Sequence, residues 1–396
     1  MRRENELGNK GQDAVLREDL NPKKGRHTLS VIIPCYNEIT TLQRCVASVM
    51  SIANANLALE IIIVDDYSTD GSLPIAESLA DRHTAIRVLR HAKNMGKGAA
   101  IRSGISEAAG DFVAIQDADL EYDPKDLLRM VEPLMAGKAD VVIGSRFLSS
   151  GAHRVLYFWH SVGNKFLTLL SNMMTDLNLT DMECCYKVFH RDTLKDTLIE
   201  ENRFGFEPEI VAKMSTKRLR IYEMSVSYEG RTYAEGKKIT WKDGLKAIYC
   251  ILHYNLPYCP PYIQFLAYLF VGGVAAVVNL FAFLLLYSIG MPLAIAAPIA
   301  FVLAAAVNYL LSVTFVFRHK AKWESILEIF IYCLVVLAGA ALDLFITKLF
   351  LTAGSSPALA KIMATALVLI FNFMGRRYIV FPLAGRTDWH ARNQGQ

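Results

Sequence analysis

Lys246 and Arg318 bracket 71 consecutive residues without a single Asp, Glu, Lys or Arg. One membrane-crossing helix needs only about 20 apolar residues, so this stretch holds several spans, and part of the chain belongs in a bilayer. The whole chain of 396 residues carries 42 Lys and Arg against 38 Asp and Glu, a net charge of +4. That balance excludes a general nucleic-acid binder. A hydrophobic fraction of 53% and a mean hydropathy of +0.27 exclude a disordered polar protein. The length predicts two or three folded units.

The apolar region divides into four candidate spans, about 263–287, 292–316, 327–351 and 358–380. Shifting it on itself by 64 residues superposes Asn279 on Asp343, Gly290 on Gly354, Asn308 on Asn372 and Phe317 on Phe381. This is an internal repeat of a two-span unit, so both copies enter the bilayer in the same direction. Arg318, Lys320 and Lys322 lie between the second and third spans, and Arg376, Arg377 and Arg386 near or after the fourth. The turns at Gly290 and 354–357 are uncharged, which places both termini and the middle loop on the cytoplasmic side of the inner membrane. Asn279, Asn308, Asp343 and Asn372 are costly inside spans. They form either a polar path or lipid-headgroup site, or hydrogen bonds that hold the bundle together.

Ahead of the spans the pattern is that of a folded α/β unit. Residues 1–28 mix seven basic and five acidic side chains without a signal-peptide apolar stretch, and read as a solvated tail. From Leu29, apolar β-branched runs (LSVIIPC, LEIIIVD, AIRVLR, DFVAIQ, ADVVIG) alternate with helical patterns. This predicts a doubly wound, mostly parallel sheet, followed by an all-α transmembrane bundle of four helices. Ligands of such sheets bind beyond the carboxyl ends of the strands, so the residues just after each run are the candidates. Seven cysteines show no CxxC and no ligand spacing, and read as reduced thiols. Two amphipathic, aromatic-rich stretches, 153–174 and 239–258, read as helices at the membrane interface. The expected organisation is a tail (1–28), a cytoplasmic domain (29–238), a juxtamembrane helix (239–258), the spans (259–382) and a second tail (383–396).

Three motifs carry chemistry. QDADLEYDP (116–124) sets Asp117, Asp119 and Glu121 after a strand, where alternate side chains of extended backbone converge on one point. One or two such carboxylates, together with substrate phosphates, hold Mg²⁺ or Mn²⁺. VIIPCYNE (31–38) and VDDYSTDGS (64–72) end strands with Glu38, Asp65 and Asp66, acceptors for ribose hydroxyls or a base N–H. Thr69, Asp70 or Ser72 is expected to cap the following helix. NMGKG (94–98) sets Lys97 between two glycines at a helix start, a cradle suited to phosphate.

Together with GSRF (144–147), TDMECCYKVF (180–189), FGFEPEI (204–210) and RTYAEGKKI (231–239), these motifs resemble the polyprenyl-phosphate group of family 2 glycosyltransferases over about 29–250. The last 130 residues resemble the GtrA-like four-span domain that some members carry. The resemblance implies a GT-A type fold in which Pro34, Tyr36, Glu38 and Asp66, with Asp65 beside them, hold the nucleoside. Lys97 would lie near the base or diphosphate, and Asp117, Ala118 and Asp119 would bracket the donor diphosphate and its metal, with Glu121 close by. Arg146, Arg231 and Lys237 would meet the phosphates of acceptor and donor. Where relatives carry a second acceptor-loop arginine, this chain has His160 and Ser161.

The implied reaction moves a hexose from a nucleotide sugar (GDP-mannose or UDP-glucose) to dolichyl or undecaprenyl phosphate with inversion. A processive polysaccharide synthase would carry a QxxRW motif, which is absent. The alternative is a lipid-linked-sugar carrier or flippase whose front domain only binds nucleotide sugar. The spans are also able to associate in a homo-oligomer.

Overall fold

The computed structural model describes residues 26–148, 154–155, 157–217, 219–230, 241–317 and 325–381. The chain divides into two compact units between Ile251 and Leu252.

The first unit is built on strands β1 (His27–Cys35), β2 (Leu57–Asp65), β3 (Ile86–Arg90), β4 (Phe112–Ile115), β5 (Val141–Ser145), β6 (Lys187–His190) and β7 (Ile221–Ser225). They form one seven-stranded sheet in the order β3-β2-β1-β4-β6-β5-β7. All neighbours run parallel except β6, which is antiparallel to both β4 and β5. Leu29, Val31, Ile32, Ile33, Ile61, Ile62 and Ile63 are fully buried, as apolar strands covered on both faces must be. The crossovers are α1 (Leu42–Met50), α2 (Ser72–Arg82), α3 (Lys97–Glu107) and α4 (Lys125–Met135). At α3, Gly104 lies against Ile32 so closely that a Cβ would sit 2.4 Å from its Cγ2, so only glycine lets this helix onto β1.

Besides a single turn at Arg191–Leu194, the described residues of the unit add the helices α5 (Phe158–Thr175), α6 (Phe206–Ser215) and the start of α7 (Trp241–Asn255). Two of them test the interfacial expectation, with different results. Helix α5 begins at Phe158 rather than 153 and is inside out: Phe158, Trp159, Val162, Phe166, Leu169 and Met173 are exposed, whereas Asn164, Thr168, Ser171 and Thr175 are buried. Helix α7 is instead packed, with Ala247, Cys250 and Ile251 buried and Lys246 paired with Glu201 at 3.1 Å. The covering is one-sided: Leu245 stays exposed and Ile248 and Tyr249 are half-buried.

The second unit has four helices long and apolar enough to cross a membrane. They are α8 (Pro261–Ser288), α9 (Leu293–Leu311), α10 (Ser325–Thr352) and α11 (Pro357–Gly375). The repeat holds at backbone level. Helices α8 and α10 both have 28 residues, α9 and α11 both have 19, and wide-turn segments follow at Ser312–Phe317 and Arg376–Val380. Gly290 and Gly354, at equivalent turns, have φ of 86° and 87°. Phe270, Phe281 and Leu344 are among many large apolar side chains left exposed, as lipid-facing positions require. Asn279, Asn308, Asp343 and Asn372 are half-buried on these helices. This is a multi-pass membrane protein.

Candidate active site

Cys35, Asp65, Ile115 and Ser145 end β1, β2, β4 and β5 at one edge of the sheet, and the chain reverses its winding between β1 and β4. A crevice opens at such a switch point. The loops leaving this edge are strained: Asn37, Tyr67 and Leu120 have φ of 54°, 67° and 64°. Left-handed backbone at non-glycine residues costs on the order of 1–3 kcal/mol each and collects where function fixes geometry.

Pro34 lies within β1 in register with Val64, Tyr36 just beyond the strand is exposed, and Glu38 is buried with Oε2 accepting from Thr41 Oγ1 at 2.8 Å. The β1 and β2 loops are stitched together: Asn37 N donates to Ser68 Oγ (3.1 Å), Thr69 N to Asn37 Oδ1 (2.8 Å) and Glu38 N to Ser72 Oγ (2.8 Å). Gly71, not one of its polar neighbours, is the helix cap, while Asp70 ties Ser72 N and Ile39 N at 3.0 Å each.

The two aspartates at the end of β2 differ. Asp66 accepts from Met95 N (2.8 Å), Gly96 N (2.7 Å) and His91 Nδ1 (2.7 Å), so three protein donors already engage it. Asp65 accepts from Ser68 N at 3.2 Å through Oδ2, and its buried Oδ1 has no partner. Of the pair, Asp65 keeps the unused acceptor. The same bonds correct the phosphate cradle at 94–98. Its amides point to Asp66, Ala99 N donates to Asn202 O at 3.1 Å, and a Cβ on Gly96 or Gly98 would sit 2.3 Å from the backbone oxygen of Asn202 or Glu201. The glycines admit a neighbouring chain segment rather than an anion.

Beyond β4 the chain turns at once, with Leu120 left-handed between Asp119 and Glu121. The three carboxylates therefore do not converge as extended backbone would bring them. Asp117 pairs with Lys97 Nζ at 2.9 Å, Asp119 Oδ1 accepts from Glu121 N at 3.1 Å, and Glu121 Oε2 accepts from Tyr228 OH at 2.8 Å. Among the described residues no three His, Cys, Asp or Glu side chains form a metal cluster. Asp117 and Asp119 with Ala118 between them match the pattern in which two carboxylates share a divalent cation with substrate phosphates.

The cations of the crevice are anchored. Lys97 reaches Glu207 at 3.1 Å as well as Asp117. Burial opposes its charge, but Asp117 and Glu207 outweigh it and hold its pKa well above the ordinary lysine value. Arg146 forks onto buried Asp181, with Nε to Oδ2 at 2.7 Å and Nη2 to Oδ1 at 2.8 Å, and its Cζ lies 5.2 Å from the Tyr228 ring centre. The polar face of α5 braces Asp181's loop: Met182 N donates to Thr168 Oγ1 at 3.1 Å and Asn172 Nδ2 to Leu179 O at 2.7 Å. His160 and Ser161 stand in the first turn of α5. Arg231 and Lys237 lie outside the described residues, but the chain leading to them is held at the crevice by Glu229 N donating to Glu121 O at 2.8 Å.

Asp181, Glu207, Tyr228 and Glu183 join the site although none was singled out beyond its motif. Burial, then the charge of Glu207, pushes the Glu183 carboxyl up to about 8. Its Oε1 is buried without a partner. All seven cysteines are free; burial pushes Cys35 up to about 12 and Cys184 to about 11, so neither supplies a thiolate.

Residues 30–198 match the family described as Glycosyl transferase family 2, and residues 267–381 match the GtrA/DPMS transmembrane domain. Three curated relatives are dodecaprenyl-phosphate galacturonate synthase of Rhizobium johnstonii, dolichol-phosphate mannosyltransferase of Pyrococcus furiosus and dolichyl-phosphate beta-glucosyltransferase of Trichomonas vaginalis. The first is 29% identical over 53% of this chain and 61% of its own. The second is 24% identical over 89% of this chain and 97% of its own. The third is 29% identical over 50% of this chain and 65% of its own. The chain thus spans less than two thirds of the first and third, and nearly all of the second.

Proposed function

We propose that this chain, which carries a glycosyl transferase family 2 domain and a GtrA/DPMS transmembrane domain, moves a hexose from a nucleotide sugar to the phosphate of a polyprenyl lipid at the cytoplasmic face of the membrane. The observation that carries the reading is one domain that combines an acidic crevice at the sheet's switch point with α5, whose polar face braces that crevice and whose apolar face is bare. Soluble donors suit the first and lipid surfaces the second. The curated relatives are named for galacturonate, mannose and glucose, and all three for a polyprenyl phosphate.

A phosphate monoester has a second pKa near ~6, so at neutral pH the acceptor is already a dianion. Its oxygen forms the new bond to the anomeric carbon as the bond to the nucleoside diphosphate breaks, with inversion, and no general base has to take a proton. The chain must instead bring two anions together. Asp65 receives the nucleoside through its unused oxygen, framed by Pro34, Tyr36, Glu38 and Asp66. Asp117 and Asp119 are the carboxylates that would hold Mg²⁺ or Mn²⁺, and the charge such a cation supplies would offset that of the leaving diphosphate. Arg146, Arg231 and Lys237, with His160 and Ser161, receive the acceptor phosphate. Glu183, still protonated at pH 7 by its raised pKa, spares the crevice one negative charge.

Vesicles holding the full chain, undecaprenyl or dolichyl phosphate and Mg²⁺ test this when offered labelled GDP-mannose, UDP-glucose and other nucleotide sugars in turn. Label in an extractable, acid-labile lipid from one donor, abolished by EDTA, is the expected result. A carrier would only relocate preformed glycolipid across the same vesicles, and that outcome would replace the transferase reading.

A further inference from the structure

The second unit contains a buried guanidinium without a counter-charge. Arg376, directly after α11, is 6% exposed, and its Nη1 donates to Asn308 Oδ1 and, at 3.5 Å, to Ser312 Oγ. Its Cζ lies 5.1 Å from the ring centre of Tyr268 and 4.8 Å from that of Tyr332. The buried Nε has no hydrogen-bond partner. Among the described residues no carboxylate pairs with it; Glu328, the nearest acid along α10, accepts from Tyr309 OH at 2.7 Å. Neutral dipoles and ring faces lower the cost of burying a cation but do not cancel its charge.

The two-span repeat shows how this arose at one point only. At the spacing of 64, Tyr268 corresponds to Tyr332, Asn308 to Asn372, and Ser312 to Arg376. The paired tyrosines and asparagines are alike in both copies, and the serine of one is replaced by the arginine of the other. Side chains from α8, α9 and α10 thus surround a positive charge at the end of α11 where a symmetric bundle would have none. The depth is also informative. Tyr268 and Tyr332 are each the eighth residue of a 28-residue helix, about 10 Å from its start at about 1.5 Å per residue. Such a helix, about 42 Å long, overhangs a ~30 Å hydrocarbon layer by about 6 Å at each end. A helix of this length centred on the bilayer would set Arg376 a few ångströms below the hydrocarbon boundary, within reach of a lipid phosphate.

We propose that Arg376, framed by Tyr268, Tyr332, Asn308 and Ser312, is a binding site for the phosphate of a membrane lipid. With Nη1 engaged by Asn308 and Ser312, the guanidinium held over the two rings keeps its Nε–H for a phosphate oxygen. The phosphate can be the monoester of a polyprenyl lipid or the diester of an anionic phospholipid, since both offer the same oxygens. The residues of the site all belong to the second unit, and the proposal does not depend on the transferase reading.

The test uses the full chain in phosphatidylcholine nanodiscs, titrated with undecaprenyl phosphate, with phosphatidylglycerol or with inorganic phosphate, and read by native mass spectrometry and by thermal stability. Saturable binding of one of the two lipids, with inorganic phosphate ineffective, is expected and names the source. Arg376→Gln should weaken that binding about tenfold or more. Because this variant also removes contacts among the spans, Asn308→Asp is the decisive companion: it gives Arg376 an internal carboxylate, preserves the fold, and should compete the lipid away by a similar factor. Lys348→Gln, at the opposite end of α10, should leave binding unchanged. A folded Asn308→Asp protein that binds lipid as the wild type does, or a wild type that binds neither lipid saturably, overturns the proposal, as does equal occupancy by inorganic phosphate. Transfer activity measured on the same samples keeps the two readings apart, since wild-type lipid binding without transfer would reject only the enzyme.

Discussion

Lys97 and Arg146 in the first unit and Arg376 in the second are all cations drawn largely out of solvent, yet their surroundings differ. Lys97 is met by Asp117 and Glu207, and Arg146 is forked onto Asp181. Arg376 is met by an amide, a hydroxyl and two phenol rings. A cation paired with carboxylates is locked in place and positions the loops around it. A cation left with neutral partners retains the capacity to attract an anion from outside. The first arrangement suits a crevice whose geometry must be set before a doubly charged donor arrives, and the second suits a docking point.

The comparison breaks most severely where a fully buried pair is halved. Asp181→Ala leaves Arg146 uncompensated and should cost on the order of 3–5 kcal/mol in denaturant or thermal unfolding of the first unit. A loss under about 1 kcal/mol would show that Arg146 finds another partner. Next comes Lys97→Met, which leaves Asp117 and Glu207 without their shared cation; about 1.5–3 kcal/mol should be lost in thermal unfolding.

Glu183→Gln sharpens the comparison through pH. The folded pKa, about 8, lies above the ordinary 4.5, so the folded protein holds a proton that the unfolded chain has released across that window. The stability contributed by the neutral carboxyl is complete below about 4.5 and declines by up to about 1.4 kcal/mol per unit as pH rises to about 8. Thermal melts of Glu183→Gln should lack that decline, and parallel melts of both proteins across the window would refute the assignment. The smallest expected effect is at α5. Trp159→Ser with Phe166→Ser touches exposed positions, so stability should move by no more than about 0.5 kcal/mol per change, while the lipid-acceptor KM rises several-fold and the nucleotide-sugar KM does not.

What could be read from the sequence follows the range of the interactions involved. The parallel strands and the polar residues at their ends are local signals, since an apolar run followed by Asp or Asn is visible without neighbours. The repeat was legible because Gly290 and Gly354 mark equivalent turns with positive φ. Strand β6 was not, because four residues inserted antiparallel between β4 and β5 leave no periodic trace. Nor was the role of Asp181, which meets Arg146 across 35 residues of chain. The motif at 94–98 misled for a related reason. Glycines at a helix start look alike whether they admit a phosphate or, as here, the backbone of Glu201 and Asn202. Helices α5 and α7 share an amphipathic pattern, and only the fold shows that the large apolar side chains of α5 are bare while Ala247, Cys250 and Ile251 of α7 are buried.

Sugar transfer to a lipid phosphate, as proposed, depends on the acidic loop after β4. The most direct measurement is the rate of lipid-linked label formation by the full chain and by Asp119→Ala at equal amounts of folded protein, with Mg²⁺ and saturating acceptor. Asp119→Ala should lose on the order of a hundredfold or more, and nucleotide-sugar transfer by the wild type should be abolished by EDTA. Near-normal turnover of Asp119→Ala, or transfer that persists in EDTA, would contradict that dependence.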